Sequence, residues 1–176
     1  MPATLFILAI IVCLFHLLFT KKNRSKKYVL ELLIIYLLVF CFGVNGIITF
    51  IAHVFFPAIS AKALGWPDGG PFQFEVGIAN LAIGSLGILT IWFRNRFALA
   101  TIIANTIFLW GCAIEHLLTM AKYKQFAQSN AVIYFYADIF MPIIIITLYV
   151  FYKNIHETNF DKFKWIKLNW VKKLFQ

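Results

Sequence analysis

The chain has 176 residues, of which 62% are hydrophobic and only 13% are charged. Soluble domains are about half apolar and about a quarter charged, so this chain has too few charges to cover a water-facing surface. The composition therefore excludes an ordinary soluble domain and predicts an integral membrane protein. The formal net charge of +9 would suit nucleic-acid binding, but the positions of the basic residues explain it differently.

Five segments are apolar over the roughly twenty residues that a helix needs to cross a bilayer of about 30 Å. The first is interpreted as a retained anchor, because a basic cluster follows it and no small-residue cleavage site does. Pro57 is predicted to end the second span, and residues 58–71 are predicted to form a loop. The predicted spans are residues 4–20, 28–56, 72–93, 97–119 and 131–152. The predicted fold is thus an all-α integral membrane bundle of five transmembrane helices within residues 1–152.

The basic residues predict how this bundle is oriented, because cytoplasmic loops carry an excess of Lys and Arg. If the loop at 21–27 is cytoplasmic, thirteen Lys and Arg residues lie on that side. The opposite side has three, Lys62, Lys122 and Lys124. The N-terminus is therefore predicted to lie outside and the C-terminus inside. Topology accounts for the positive charge, so no nucleic-acid partner is expected.

Residues 153–176 are predicted to form a basic amphipathic tail on the cytoplasmic side. At 100° per residue, one face of this helix collects Phe160, Phe163, Ile166, Trp170, Val171 and Leu174. Lys162, Lys172 and Lys173 lie away from that face. Such a helix lies in the membrane interface and favours anionic lipids. The expected partners are therefore the lipid bilayer and, at the tail, its anionic lipids.

Polar side chains inside the spans are the candidates for function, because a charged group costs about 3 kcal/mol to insert at the centre of a span. Four spans carry such groups near their predicted outer ends: His53, Glu75, Glu115 with His116, and Asp138. Three amides, Asn45, Asn80 and Asn105, are predicted to support them. The outer half of the bundle is therefore predicted to hold a cluster of carboxylates and imidazoles.

The third span has polar or small residues on both sides. One stripe is formed by Gly77, Asn80, Gly84 and Gly87, and Glu75, Ala79 and Ala82 lie nearly opposite. Small residues allow close approach of helices in lipid. The third span is therefore predicted to be the central helix, packed by neighbours on two sides.

Carboxylates and imidazoles within reach of one another can bind a divalent metal ion such as iron, manganese or zinc. The predicted ligand set is Glu75, Glu115, His116, Asp138 and His53. No ExxH or HxxxH spacing occurs, so a ferritin-like di-iron site is not predicted. The same groups could instead bind a cation or relay protons along a transport path.

The run Pro71–Leu81, PFQFEVGIANL, resembles a PFQxExGxAN-type motif of an uncharacterised family of small bacterial polytopic membrane proteins. Later residues that are similar to that family are Gly111, His116, Asn130, Ala131, Asp138 and Pro142. The resemblance covers about residues 43–152 and implies no activity. The site positions that it implies are Glu75, Asn80, His116 and Asp138. The family has a small residue before the histidine, where this chain has Glu115.

Three functions remain open at this point. The leading hypothesis is cation or proton binding and transport by the outer-leaflet cluster, in a bacterial inner (plasma) membrane. The alternatives are a membrane-embedded, metal-dependent enzyme that acts on a lipid or quinone, and an accessory subunit whose cluster holds helices together. No nucleophile motif such as GxSxG and no phosphate-binding or dinucleotide motif is present. Five spans are few for a solitary transporter, which favours a homo-oligomer.

Overall fold

The structure, a computed structural model, describes residues 2–20, 25–64, 70–123 and 129–155 of the chain. All regular secondary structure within these ranges is helical, which confirms the predicted all-α class. The elements are α1 (Pro2–Phe19), α2 (Lys26–Leu37), a π-helical segment (Leu38–Val44), α3 (Asn45–Phe55), α4 (Pro57–Leu64), α5 (Pro71–Leu89), α6 (Arg96–Tyr123) and α7 (Ser129–Asn154). From residue 156 onward, the predicted tail lies outside the described residues.

Five helices in the described ranges are long and apolar enough to cross a membrane, the same number as the spans predicted from the sequence. They are Pro2–Phe19, Lys26–Phe55, Pro71–Leu89, Arg96–Lys122 and Val132–Asn154. The second combines α2, the π-helical segment and α3. The third is shorter than predicted, since the helix ends at Leu89 and turns carry the chain into α6. Asn95 takes a φ of 57° in this connection, a left-handed conformation that asparagine tolerates better than most residues.

The predicted loop at 58–71 is wrong in its first half, because residues Pro57–Leu64 form α4. Pro57 ends the second span as predicted, but a proline also suits the first turn of a new helix. The residues that follow it include good helix formers, three alanines and a leucine. The Ser60 hydroxyl donates to the carbonyl of Ala52 at 2.8 Å and so ties α4 to the end of α3. α4 therefore lies across one end of the bundle, in contact with α3, α5 and α7.

Glycines bring α5 into backbone contact with the second span. A Cβ atom at Gly87 would lie 2.5 Å from the Gly43 nitrogen, and one at Gly84 would lie 3.0 Å from the Gly43 carbonyl oxygen. A Cβ atom at Gly46 would lie 2.7 Å from the carbonyl oxygen of Asn80. These neighbours are backbone atoms that cannot rotate away, so only glycine fits at this interface. The predicted glycine stripe of the third span is the surface that packs here.

The opposite side of α5 is exposed, so the expectation of a central helix packed on two sides is wrong. Glu75, Ile78 and Ala82 all lie on this exposed side. The reason is the pairing of the helices: α5 packs mainly on the second span, whereas α6 packs mainly on α7. The core of the bundle instead lies between α1, the second span, α6 and α7, where Ala9, Leu38 and Ile145 are fully buried.

Polar contacts identify the two ends of the bundle. At one end, Glu31 of α2 pairs with Arg94 at 3.5 Å, and the Lys27 ammonium lies over the ring of Tyr152. We call this the basic end, and its described cations are Lys26, Lys27, Arg94, Arg96 and Lys153. At the other end, which α4 covers, α3 and α6 finish and α5 and α7 begin. The predicted site residues other than Asn45, Asn80 and Asn105 lie towards this second end.

Candidate functional site

His116 lies between two carboxylates that come from two helices. Its Nδ1 atom is 3.5 Å from Oε2 of Glu115, its neighbour on α6. Its Nε2 atom is 3.7 Å from Oδ2 of Asp138 on α7. The two ring nitrogens therefore face different acids on opposite sides of the imidazole. We call these three residues the acid–histidine cluster.

The three side chains of the cluster differ in exposure. The Glu115 side chain is 39% exposed, whereas those of His116 and Asp138 are 8% and 14% exposed. The hydroxyl of Thr119 donates to Oε1 of Glu115 at 2.5 Å, which holds the exposed carboxylate in place. Water can reach the Glu115 carboxylate, whereas the Asp138 carboxylate is largely buried and is costly to charge without a partner. His116 thus lies between an acid that exchanges readily with water and one that does not.

Helical spacing explains why these side chains meet. His116 shares the buried face of α6 with Ala113 and Met120, at positions three residues before it and four after it. On α7, Asp138 comes four residues before Pro142, which is buried within the helix. A proline has no N–H, so it gives the carbonyl of residue 138 no helical hydrogen bond. Asp138 therefore sits at a point where the backbone of α7 is more polar than in a regular helix.

His53 belongs to a second polar contact, between α3 and α5. Its Nδ1 atom contacts the side-chain oxygen of Gln73, and both side chains are buried. Gly77, one turn beyond Gln73, leaves room for Val54 and for the His53 side chain, whose Cβ is 3.5 Å from where a Gly77 Cβ would lie. Gln73 lies at the end of the bundle that α4 covers, and the sequence analysis did not select it. Its position in the first turn of an apolar span could have marked it as a candidate for a polar contact.

The remaining predicted residues are not drawn into one site. Glu75 is exposed on the outer side of α5. The amide nitrogens of Asn80 and Asn105 donate to the carbonyls of Val76 and Thr101, each at 2.9 Å and each within its own helix. Asn45 is half-buried at the start of α3. The Asn80 and Asn105 amides thus satisfy backbone carbonyls within the spans.

The described residues do not assemble the predicted metal-ligand set around one point. Among them, no group of three or more His, Cys, Asp and Glu side chains is placed so that it could hold a metal ion. The acid–histidine cluster shows the geometric reason. A chelating site needs donors that converge on one point, whereas here the carboxylates contact opposite nitrogens of one ring. The metal site stays a prediction.

Fold and site together define the class of the protein: an all-helical chain with five helices apolar enough to cross a membrane and an acid–histidine cluster near one end. The model of a family of unknown function (DUF6790) matches residues 1–158, and the chain belongs to that family. The match includes the first span, which the resemblance over residues 43–152 left out. No curated protein and no solved structure matches the chain.

Proposed function

We propose that this chain is a proton-handling protein of a bacterial inner membrane, with its N-terminus outside, its C-terminus inside, and the acid–histidine cluster in the outer leaflet. One observation carries the proposal: the two ring nitrogens of buried His116 face two different carboxylates. A neutral imidazole has one N–H and one lone pair, so it can accept a proton on one side and donate one on the other. The cluster can thereby move a proton between Glu115 and Asp138.

The exposure of the two acids gives this transfer a direction in space. Glu115 is the more exposed acid and can exchange protons with water near the end of α6. Asp138 is more buried and lies against the core between α6 and α7. Both contacts of His116 exceed the usual length of an N–H···O hydrogen bond, so a small side-chain rotation or one water would complete each step. We propose that protons enter at Glu115 and are stored at Asp138, as a transport or coupling site requires.

The same geometry ranks the other two functions lower. A metal-dependent enzyme would need donors converging on one point, and the contacts of His116 diverge. An accessory subunit would need the cluster only for cohesion between α6 and α7. Cohesion would survive a change of carboxylate to amide, because an amide of the same shape can still hydrogen-bond to the imidazole.

Proton binding can be measured by NMR of the purified full-length protein with ¹⁵N-labelled histidine in detergent micelles. The chain has four histidines, and the spectrum of His116→Gln identifies the His116 signals. We expect these signals to titrate with pH. We expect the midpoint of this titration to differ from that of the wild type in Asp138→Asn and in Glu115→Gln, because each variant removes a carboxylate that contacts the imidazole. Glu75→Gln, an equivalent change on the exposed side of α5, is the matched control and should leave the midpoint unchanged.

Proton transfer is measured separately, with protein reconstituted into liposomes that contain a pH-sensitive dye. A pH step outside should change the internal pH faster with wild-type protein or Glu75→Gln than with His116→Gln. The proposal is wrong if folded Asp138→Asn and Glu115→Gln leave the His116 titration unchanged. It is also wrong if the flux through folded His116→Gln equals that of the wild type.

A further inference from the structure

A histidine of α1 lies between two tyrosine hydroxyls of α2. The Nδ1 atom of His16 is 2.8 Å from the hydroxyl oxygen of Tyr36, which is a hydrogen-bond distance. Its Nε2 atom is 3.5 Å from the hydroxyl oxygen of Tyr28. The rings of His16 and Tyr36 meet edge to face, with their centroids 5.9 Å apart. The two ring nitrogens of His16 therefore face two different hydroxyl groups.

The helices place this group where the bundle meets its surface at the basic end. His16 lies in the last turn of α1, and Tyr28 lies in the first turn of α2. Tyr36 lies about two turns further along α2 and packs against the core of the bundle. The His16 side chain is exposed, whereas both tyrosines are half-buried. The three side chains therefore connect the edge of the core with the surface.

Both partners of this imidazole can give and take a proton. A hydroxyl donates one hydrogen bond and accepts others, and a neutral imidazole has one N–H and one lone pair. When Tyr36 gives its proton to Nδ1 of His16, the proton on Nε2 passes to Tyr28, which releases its own proton to water. A proton that reaches Tyr36 from the interior restores that hydroxyl. The imidazole ends in its other tautomer, which a flip of the exposed ring reverses.

The contact with Tyr28 is the longer of the two and exceeds the usual hydrogen-bond length. A small rotation of either side chain, or one water between them, would complete this step. The transfer can also run in the opposite direction, because each of the three groups both donates and accepts. The group can therefore carry protons into the bundle as well as out of it.

A proton transporter needs such a group at this end of the bundle, because it must exchange protons with water on both sides of the membrane. The acid–histidine cluster lies at the opposite end, near the end of α6 and the start of α7. Of the histidines in the described ranges, His53 and His116 lie towards that end, and His16 lies at the basic end. His16 is therefore the described imidazole in position to exchange protons on the second side.

We infer that His16, Tyr28 and Tyr36 form a second proton-exchange site, which passes protons between the interior of the bundle and water at the basic end. This inference rests on the proposed function, since it supplies the exchange opposite the acid–histidine cluster. The contact of His16 with Tyr36 also joins α1 to α2, so the same group contributes to stability. Proton exchange differs from that structural role because it requires the hydroxyl of Tyr36 even where the fold is kept.

The test uses the full-length protein in the same dye-containing liposomes. We expect His16→Gln to lower the proton flux to the level of His116→Gln, because the two sites act in series. We expect Tyr36→Phe to lose at least half of the wild-type flux, because it removes the hydroxyl and keeps the ring. Tyr136→Phe makes the same change on an exposed side of α7, so it is the matched control and should keep the wild-type flux.

A second control separates the flux from stability. Leu32→Ala removes a buried side chain from α2 and leaves all three members of the site in place. It should lower the stability in SDS titrations and keep the wild-type flux. The NMR titration of His116 shows whether the other end of the bundle is intact. We expect it to be the same in the wild type, His16→Gln and Tyr36→Phe.

Three outcomes would overturn the inference. The first is wild-type flux through folded His16→Gln, and the second is equal flux through Tyr36→Phe and Tyr136→Phe. The third is an equal loss of flux in Leu32→Ala and Tyr36→Phe, which would show that the flux follows stability. Failure of the proposed function looks different, because His116→Gln would then keep the wild-type flux. Loss of flux in His116→Gln with full flux in His16→Gln would remove the second site alone.

Discussion

At the scale of single residues, Thr106 is an unusual buried group on α6. Its side chain is 7% exposed, and among the described residues its hydroxyl oxygen is buried with no hydrogen-bond partner. A buried polar group without a partner costs about 1–3 kcal/mol, and a substitution that keeps the shape removes that cost. We therefore expect Thr106→Val to leave the stability unchanged or to raise it by about 1 kcal/mol. Unfolding by SDS in detergent micelles, followed by circular dichroism, measures the change.

Thr101, one and a half turns earlier on α6, is the matched control for this prediction. It is also buried, but its hydroxyl donates to the carbonyl of Phe97 at 3.0 Å. Thr101→Val should therefore destabilise the protein by about 1 kcal/mol, the typical net value of one hydrogen bond. If both variants are destabilised equally, the Thr106 hydroxyl makes a bond of the same kind, and the prediction is wrong.

Single residues also show how much of the site could be predicted from sequence. Glu115, His116 and Asp138 were selected by their depth in the spans, and the structure brings them together. Glu75, selected in the same way, is exposed on α5, because depth does not say which side of a helix faces a neighbour. Gln73 was missed because an amide carries no charge, although its contact with His53 is buried. The sequence therefore predicts how deep each polar group lies in the membrane. Which of these groups contact one another depends on how the helices pair.

At the scale of elements, the contact between α5 and the second span depends on glycine. We expect Gly87→Ala to destabilise the protein by about 2 kcal/mol, because extra volume in a close contact forces the backbone to move. The new Cβ atom would lie 2.5 Å from the Gly43 nitrogen and 2.8 Å from the Leu38 carbonyl oxygen. The free energy of unfolding in SDS titrations measures the effect.

Gly111 on α6 provides the control for this effect of volume. A Cβ atom there would meet nothing within 4 Å. Alanine favours a helix over glycine by up to about 1 kcal/mol, so Gly111→Ala should be neutral or slightly stabilising. Equal losses in Gly87→Ala and Gly111→Ala would mean that α5 and the second span are not in backbone contact.

The elements show where sequence patterns are sufficient for prediction and where they are not. Long apolar runs gave all five spans, because burial in lipid demands length above all. The helix at Pro57–Leu64 was missed because the Gly and Pro residues that follow it predict a loop, and the predicted loop was extended back to Pro57. The π-helical segment Leu38–Val44 was not predictable, since the same apolar run is compatible with an α-helix and with a π-helix. α5 packs on one side only because of how the other helices pair with one another. The sequence of a single segment does not contain that information.

At the scale of the whole molecule, the basic end and the end with the acid–histidine cluster are chemically different. The contacts from Lys27 to Tyr152 and from Glu31 to Arg94 join the second span, the α5–α6 connection and α7 at the basic end. The cluster lies at the other end, near the start of α7 and the end of α6. The two ends of the bundle therefore carry different groups: an imidazole between two carboxylates at one end, and a group of cations at the other.

The proposed function depends directly on orientation, because orientation decides from which side of the membrane the cluster exchanges protons. The excess of Lys and Arg predicts that the basic end is cytoplasmic and that α4 and the cluster face outside. We expect a cysteine at Lys62 to react with a membrane-impermeant maleimide in intact cells, and a cysteine at Arg96 to react only after permeabilisation. Both positions are exposed, so a difference in reactivity reports the side of the membrane. The native Cys13, Cys41 and Cys112 are replaced by alanine to remove background labelling.

The opposite labelling pattern would place Glu115 on the cytoplasmic side, and protons would then enter the cluster from the cytoplasm. Labelling of both positions in intact cells would mean that the chain inserts in two orientations, as a dual-topology protein does. The thirteen-to-three bias in basic residues argues against that outcome, because dual insertion needs loops of nearly equal positive charge. Reducing the bias to ten against three with substitutions at Lys26, Lys27 and Arg96 should then weaken the preference and let a fraction of the Lys62 cysteine escape labelling. A single measured orientation that responds to these charges would establish from which side the cluster exchanges its protons.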